Sequence, residues 1–381
     1  MTPNVAQSVR HLGSASSGVT RVSLSQRLHL DLPLLGGLLI LAGMGLTILY
    51  SSGGQDIGLV LRQGMRLGIA FIVMFALAQV PPHQYRHWIP WIYGIGVVLL
   101  LMVLLVGEIG KGAQRWLDLG IFRFQPSEVM KLALPLLIGR LLSDHPLPPD
   151  GRSLLWSGLL IVVPVLFIAR QPDLGTALLV AAAGAFVVLL SGIRWRLVFG
   201  LGAILGAMAP VLWTFMHDYQ RNRVLTFLDP ERDPLGTGYH IIQSKIAVGS
   251  GGLFGKGWLN GTQSHLDFLP ERSTDFIFAV FGEEFGLLGA VLLVSVFLYV
   301  VFRGLWIAHN AQDSFGRLVA GSLILTFFVY LFVNIGMVVG LLPVVGVPLP
   351  LISYGGTSMV TLMASFGILM SIQTHRRLLA S

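Results

Sequence analysis

About ten apolar runs recur along this chain, each near the ~20 residues a helix needs to cross a hydrocarbon layer. Their limits are 33–52, 58–80, 86–107, 126–143, 153–170, 174–192, 195–215, 276–302, 316–340 and 350–373. Little sequence is left over for a water-facing fold. Charged residues make up 11% of the 381 positions, against about a quarter in a soluble domain, so an ordinary soluble core is excluded. The expected fold is an all-α polytopic membrane protein. There is no cysteine, which removes disulfides and thiolate metal sites from consideration.

The placement of cations gives the orientation. With the N-terminus inside, the short inner connections carry Arg86, then Arg140 and Arg152, then Arg194 and Arg196, then Arg303 and Arg317, and the chain closes on Arg376 and Arg377. The opposite side has 51–56, 171–173 and 341–350, all without Lys or Arg. This is the positive-inside pattern, so both termini are expected to be cytoplasmic. The net charge of +7 then reports topology, not a nucleic-acid surface. Residues 1–30 carry Arg10, Arg21 and Arg27 and no acid. Without an apolar h-region and cleavage site they read as a disordered cytoplasmic tail, ahead of a membrane domain over 31–381. No fixed-period repeat and no inverted symmetry of the transporter kind is visible.

Two outer connections break the pattern. One, 107–125, places Lys111, Arg115 and Arg123 on the cation-poor side. The other, 216–275, is far longer than ordinary connections and therefore a functional candidate; a short amphipathic helix is expected in it near 239–248. It runs into SHLDFLPERSTDFIFAVFGEEFG, 264–286, where Asp275, Glu283 and Glu284 lie at or beyond the edge of an apolar run. A carboxylate at membrane depth needs a partner or shifts its pKa. Asp275 reads either as the cap of the following helix or as a working acid, and the two roles are compatible.

Other polar residues stand inside or beside the spans. Glu128 and Lys131 are three apart, share a helix face and can pair. They can also line a polar cavity under the cationic loop, with Gln125 and Ser127 at its rim. Asp173 is expected to cap the sixth segment, Asn334 to hydrogen-bond between helices, and 353–356 (SYGG) to allow close packing. Trp116 is an interfacial anchor or a sugar-stacking platform. Lys111 and Arg115 suit phosphate oxygens, and an outer-surface carboxylate could accept a proton from an attacking sugar hydroxyl. A lipid-linked pyrophosphate sugar fits that pairing, but the residues alone leave open whether it is moved or reacted. No HExxH, P-loop, dinucleotide fingerprint or nucleophile elbow appears in a supporting context, and the ten histidines are scattered singly.

In order, KGAQRW, QPSEVMK, QPDLGTA, FLPERSTDFIFAVFGEEFG and NIGMVVGLLPVVGVPLPLISYGG span residues 111–356 and resemble the SEDS family (shape, elongation, division and sporulation). GVPLPLISYGG and the ending QTHRR are more similar to its elongation-type than to its division-type members. The resemblance implies a peptidoglycan glycosyltransferase that polymerises lipid II on the outer face of the bacterial inner membrane, with a class B penicillin-binding protein as partner. It implies that Asp275, in the TDF motif, is the essential acid. Lys111, Arg115 and Trp116 are implied as the loop residues that meet substrate, and Glu128 and Lys131 as the polar helix pair. Gln125, Ser127, Arg272 and Ser353 join them as expected substrate contacts. The implied reaction is inverting, with undecaprenyl pyrophosphate leaving, and a divalent cation (Mg2+ or Mn2+) is the one cofactor considered. A lipid II flippase and a non-catalytic scaffold are the alternatives. The ninth segment and the 341–350 loop are the expected partner contact.

Overall fold

The structure is a computed structural model that describes residues 28–375 apart from 111–112, 119–122, 217, 233–235, 266–268 and 270. Lys111, Arg376, Arg377 and all but the last few residues of the expected tail lie outside the described residues. Ten helices coincide with the ten apolar runs. They are α1 (Leu32–Ser52), α2 (Ile57–Ala78), α3 (Pro82–Val106), α4 (Pro126–Ser143), α5 (Gly151–Arg170), α6 (Leu174–Leu190), α7 (Trp195–Phe215), α11 (Ile277–His309), α12 (Ser314–Val338) and α13 (Thr357–Thr374). The long outer connection adds α8 (Asp218–Leu228), α9 (Thr237–Ser250) and the single turn α10 (Thr262–His265). The helix α9 is the one expected near 239–248.

Aspartate starts many of these helices. Asp31, Asp56, Asp150, Asp173 and Asp313 each accept a hydrogen bond from a first-turn backbone N–H of α1, α2, α5, α6 and α12. The carboxylate satisfies a donor that has no intrahelical partner and suits the positive end of the helix dipole. Seven helices (α1, α2, α3, α5, α11, α12 and α13) are long and apolar enough on their own to cross a membrane. α6 is shorter, and α4 carries Glu128, Lys131 and Arg140.

The bundle is organised around α12. It packs on α11, α6 and α4, while α13 packs on α2. Ile72, Trp91, Leu105, Leu155 and Phe199 on α2, α3, α5 and α7 point outward, as expected of faces solvated by lipid. The ninth segment, α12, packs against three helices within this chain, and Phe332 is the one of its large apolar residues that is well exposed. The 341–350 loop does expose Leu341.

The two ends differ. At the inner end Arg303 pairs in a bidentate manner with Asp31 at 3.0 and 2.6 Å, Arg86 pairs with Asp144, and His29 stacks on His375. The outer end carries the long loops and one departure from an all-α fold. Glu108–Gly110 (β1), Ala113–Asp118 (β2) and Arg123–Phe124 (β3) form a small antiparallel meander in the order β1-β2-β3. This segment has too few apolar residues for a helix face, and antiparallel pairing satisfies its backbone locally.

One helix is broken. Gly286 in α11 has φ +64°, and the segment from Gly252 to Gly257 lies against the break. Lys256 N and Gly257 N donate to the carbonyls of Glu283 and Glu284 at 3.0 Å each, and Leu287 N and Leu288 N donate to the carbonyls of Gly252 and Leu253 at 2.9 and 3.1 Å. Irregular backbone at membrane depth survives when protein satisfies it in this way. The approach needs glycine on both sides, since a Cβ on Gly286 would lie 2.3 Å from Gly255 N.

Candidate active site

Four side chains from three helices form a buried polar cluster at the outer half of α4. Lys131 Nζ donates to Glu128 Oε1 at 2.8 Å and to Tyr330 Oη at 2.5 Å. Ser358 Oγ donates to the same Glu128 oxygen at 2.9 Å. Glu128 and Lys131 are almost wholly enclosed, so each offsets the cost of burying the other. Removing one partner of such a pair generally costs about 3–5 kcal/mol. The pairing expected from their spacing is therefore present, and it is extended by residues far away in sequence.

Glu128 also faces a cavity of about 820 Å³ lined by residues of β2, β3, α2, α4 and α13. Trp116, Gln125, Glu128, Arg66 and Thr357 give it a polar side, while Ile69, Val129, Leu132, Val360 and Ala364 make the rest apolar. A ligand that suits this lining has a polar head and a hydrocarbon tail. Gln125 donates from Nε2 to Ser127 Oγ at 3.0 Å, which fixes both side chains at the start of α4. Trp116 belongs to the cavity wall.

Arg115 forms an ion pair with Asp173, Nε to Oδ2 at 3.3 Å. Asp173 uses its other oxygen to cap α6, accepting from Thr176 N at 3.2 Å. The β-meander is thus tied to the top of α6 through one carboxylate that performs both tasks. Lys111 is outside the described residues.

Asp275 stands one residue ahead of the cap of α11, since Phe276 holds the N-cap position. It is half-buried and its backbone is clamped from several directions. Asn334 Nδ2 donates to the Asp275 carbonyl at 2.9 Å and to the Val347 carbonyl at 2.8 Å. Ser353 Oγ donates to the Thr274 carbonyl at 2.5 Å and accepts from Leu349 N at 2.8 Å, and Tyr354 N donates to the Ser273 carbonyl at 2.8 Å. Asn334 therefore joins two irregular segments instead of two helices. The Ser353 hydroxyl holds the loop. Gly346 passes so close that a Cβ there would be 3.5 Å from Asp275 Oδ2.

The Asp275 loop and the cavity are neighbours across 353–356. Tyr354 is hydrogen-bonded to Ser273, and its ring carries the Arg66 guanidinium at 4.5 Å; Arg66 and Gly356 line the cavity. Asp275 itself is not part of that cavity's lining. Arg272 is half-buried near Gly54. Sequence reading missed Arg66, Tyr330 and Ser358. An arginine inside an apolar run was a usable signal for Arg66, whereas Tyr330 and Ser358 carried none. Among the described residues no group of three His, Asp or Glu side chains comes together.

The comparisons with known proteins cover nearly the whole chain. The FtsW/RodA/SpoVE family, described as cell cycle protein, matches residues 26–378. A peptidoglycan glycosyltransferase MrdB of Escherichia coli K12 is 54% identical over 355 residues, covering 93% of this chain and 96% of the relative. The MrdB of Helicobacter pylori 26695 is 39% identical over 327 residues, 83% of each chain. Among solved structures, a chain from work on structural coordination of polymerization and crosslinking by a peptidoglycan synthase complex matches at TM-score 0.80. It is 31% identical, with 91% of this chain and 99% of that chain covered. The Thermus thermophilus rod shape determining protein RodA matches at TM-score 0.69 and 28% identity, covering 90% and 96%.

Proposed function

This chain belongs to the FtsW/RodA/SpoVE family of cell cycle proteins and is a multi-pass peptidoglycan glycosyltransferase of the cell-elongation type, and from that premise we propose that Asp275 is the general base of its polymerisation reaction. The observation that carries this reading is the backbone clamp on a half-buried carboxylate, set beside the wall of a cavity with a polar head and an apolar body. The cavity receives the lipid-linked substrate, with its polyprenyl chain along Ile69, Leu132 and Val360.

In the reaction, the Asp275 carboxylate takes the proton from the 4-hydroxyl of the GlcNAc on incoming lipid II. The oxygen attacks C1 of the terminal MurNAc of the growing chain, and the bond from C1 to the pyrophosphate oxygen breaks. Undecaprenyl pyrophosphate leaves with the electron pair. An α-linked pyrophosphate becomes a β1→4 linkage, so a single inverting displacement with one base suffices. Lys111 and Arg115 neutralise the departing pyrophosphate, with Arg115 steadied by Asp173. Trp116 and Gln125 orient the head group. Glu128 and Lys131 act as one unit that keeps the cavity wall polar yet neutral, Ser127 fixes Gln125, Ser353 positions the Asp275 loop, and Arg272 flanks the base.

The similar chain solved within a peptidoglycan synthase complex comes from work on polymerization and crosslinking. By that likeness this chain works at the bacterial inner membrane beside a crosslinking class B penicillin-binding protein. The reading is tested by reconstituting the chain and partner in vesicles with lipid II. One undecaprenyl pyrophosphate is expected for each disaccharide added to a β-linked strand. Passage of lipid II across the bilayer without strand growth would favour the flippase instead.

A further inference from the structure

Arg66 is the cation of the cavity that no acid answers. It lies roughly 14 Å along α2 from Ile57 at 1.5 Å rise per residue, well inside an apolar helix. Glu128 is the one acid among the residues lining the cavity; its Oε1 is held by Lys131 and Ser358, its Oε2 makes no hydrogen bond to a described residue, and it forms no ion pair with Arg66. Among the described residues Arg66 makes no hydrogen bond or ion pair, and its one aromatic contact is the Tyr354 ring at 4.5 Å. A guanidinium at membrane depth is costly unless it meets an anion or water. Here it faces a cavity whose remaining walls are mostly apolar.

We infer that Arg66 is the phosphate-binding residue of this cavity, taking the pyrophosphate of a polyprenyl-linked ligand through its planar fork while the Tyr354 ring fixes the fork's plane. The inference rests on the reading of the cavity as the substrate site and adds the residue that fixes the charged head in it. A guanidinium is suited to this because it binds phosphate oxygens in pairs and sheds water more readily than an ammonium. Stacking on Tyr354 leaves the edge N–H groups free to donate. The location also joins binding to chemistry. Tyr354 N is bonded to the Ser273 carbonyl, two residues before Asp275, so a phosphate on Arg66 lies beside the segment that carries the base.

The test uses the full chain with its partner in vesicles. Arg66→Gln is expected to raise the KM for lipid II about tenfold with kcat within about twofold, the signature of lost uniform binding, and Arg66→Lys to restore part of it. A purely structural role would instead lower the melting temperature and kcat and leave KM alone. Binding is measured separately in an Asp275→Asn background with two probes, undecaprenyl pyrophosphate and uncharged undecaprenol. Arg66→Gln is expected to weaken the first about tenfold and leave the second unchanged. Equal weakening of both probes, or of neither, overturns the inference. Because this arm needs no turnover, it reads Arg66 even when the assignment of the base fails.

Discussion

Lys131 shows how a membrane interior tolerates a full charge. Its ammonium has a carboxylate and a phenol within hydrogen-bond reach, and the same carboxylate receives Ser358. Glu128→Gln alone leaves that ammonium buried without its counter-charge, and a loss of about 3–5 kcal/mol is expected. Combining it with Lys131→Met removes both charges and should recover much of that loss. Thermal unfolding of the single and double variants in detergent measures the difference. A double variant no more stable than the single would mean that the pair contributes little. The spacing of these two residues was enough to expect their pairing. Tyr330 could not be expected, because it arrives from 199 residues away and only helix packing brings it there. Arg66 went unnoticed for a different reason, since averaging hydropathy over a whole run hides the two arginines, Arg62 and Arg66, within it.

At the scale of elements, the break in α11 could not be seen in sequence. Hydropathy continues through Gly286, and nothing local marks the segment at 252–257 that satisfies the opened backbone. The helix ends were far more legible, because an aspartate followed by an apolar run is a cap wherever it falls; Asp173 behaved so. Asp275 falls one residue ahead of the N-cap, which is Phe276. Gly286→Ala should lower the melting temperature clearly and reduce strand synthesis, because φ +64° with ψ −164° is a region essentially reserved for glycine, costing other residues about 1–3 kcal/mol, and its Cβ would press on Gly255 N. Unchanged melting would show that the break is not a fixed feature. At the inner end, burial first and the neighbouring His29 second hold the His375 imidazole below its ordinary value. The folded state therefore favours the neutral ring, and the unfolded chain binds the proton first as pH falls. Stability attributable to this end should be full above the ordinary histidine pKa of about 6.5 and decline below it. His375→Gln should flatten that part of the melting-temperature profile, and an unaltered profile would remove His375 from the account.

For the molecule as a whole, the number and order of the apolar runs and the side bearing the arginines were readable from sequence, since the bilayer imposes both. What was not readable is the outer architecture. The meander over α4, the clamp of Asn334 and Ser353 on the Asp275 loop, and the cavity between α2, α4 and α13 all depend on contacts between distant segments. Together they set the half-buried Asp275 carboxylate close to a cavity with a polar side and an apolar body, an arrangement that supports the proposed reaction. Lys131 is buried against Glu128 and Tyr330 and does not line the cavity, whereas a translocation path would need it hydrated. The most direct measurement is strand synthesis from lipid II by Asp275→Asn, reconstituted with the crosslinking partner and checked for unaltered melting and partner capture. General-base catalysis is worth about 10²–10⁴-fold, so synthesis should fall at least a hundredfold (~10²,) while fold and partner binding persist. Near-normal glycan synthesis by that variant would contradict the account.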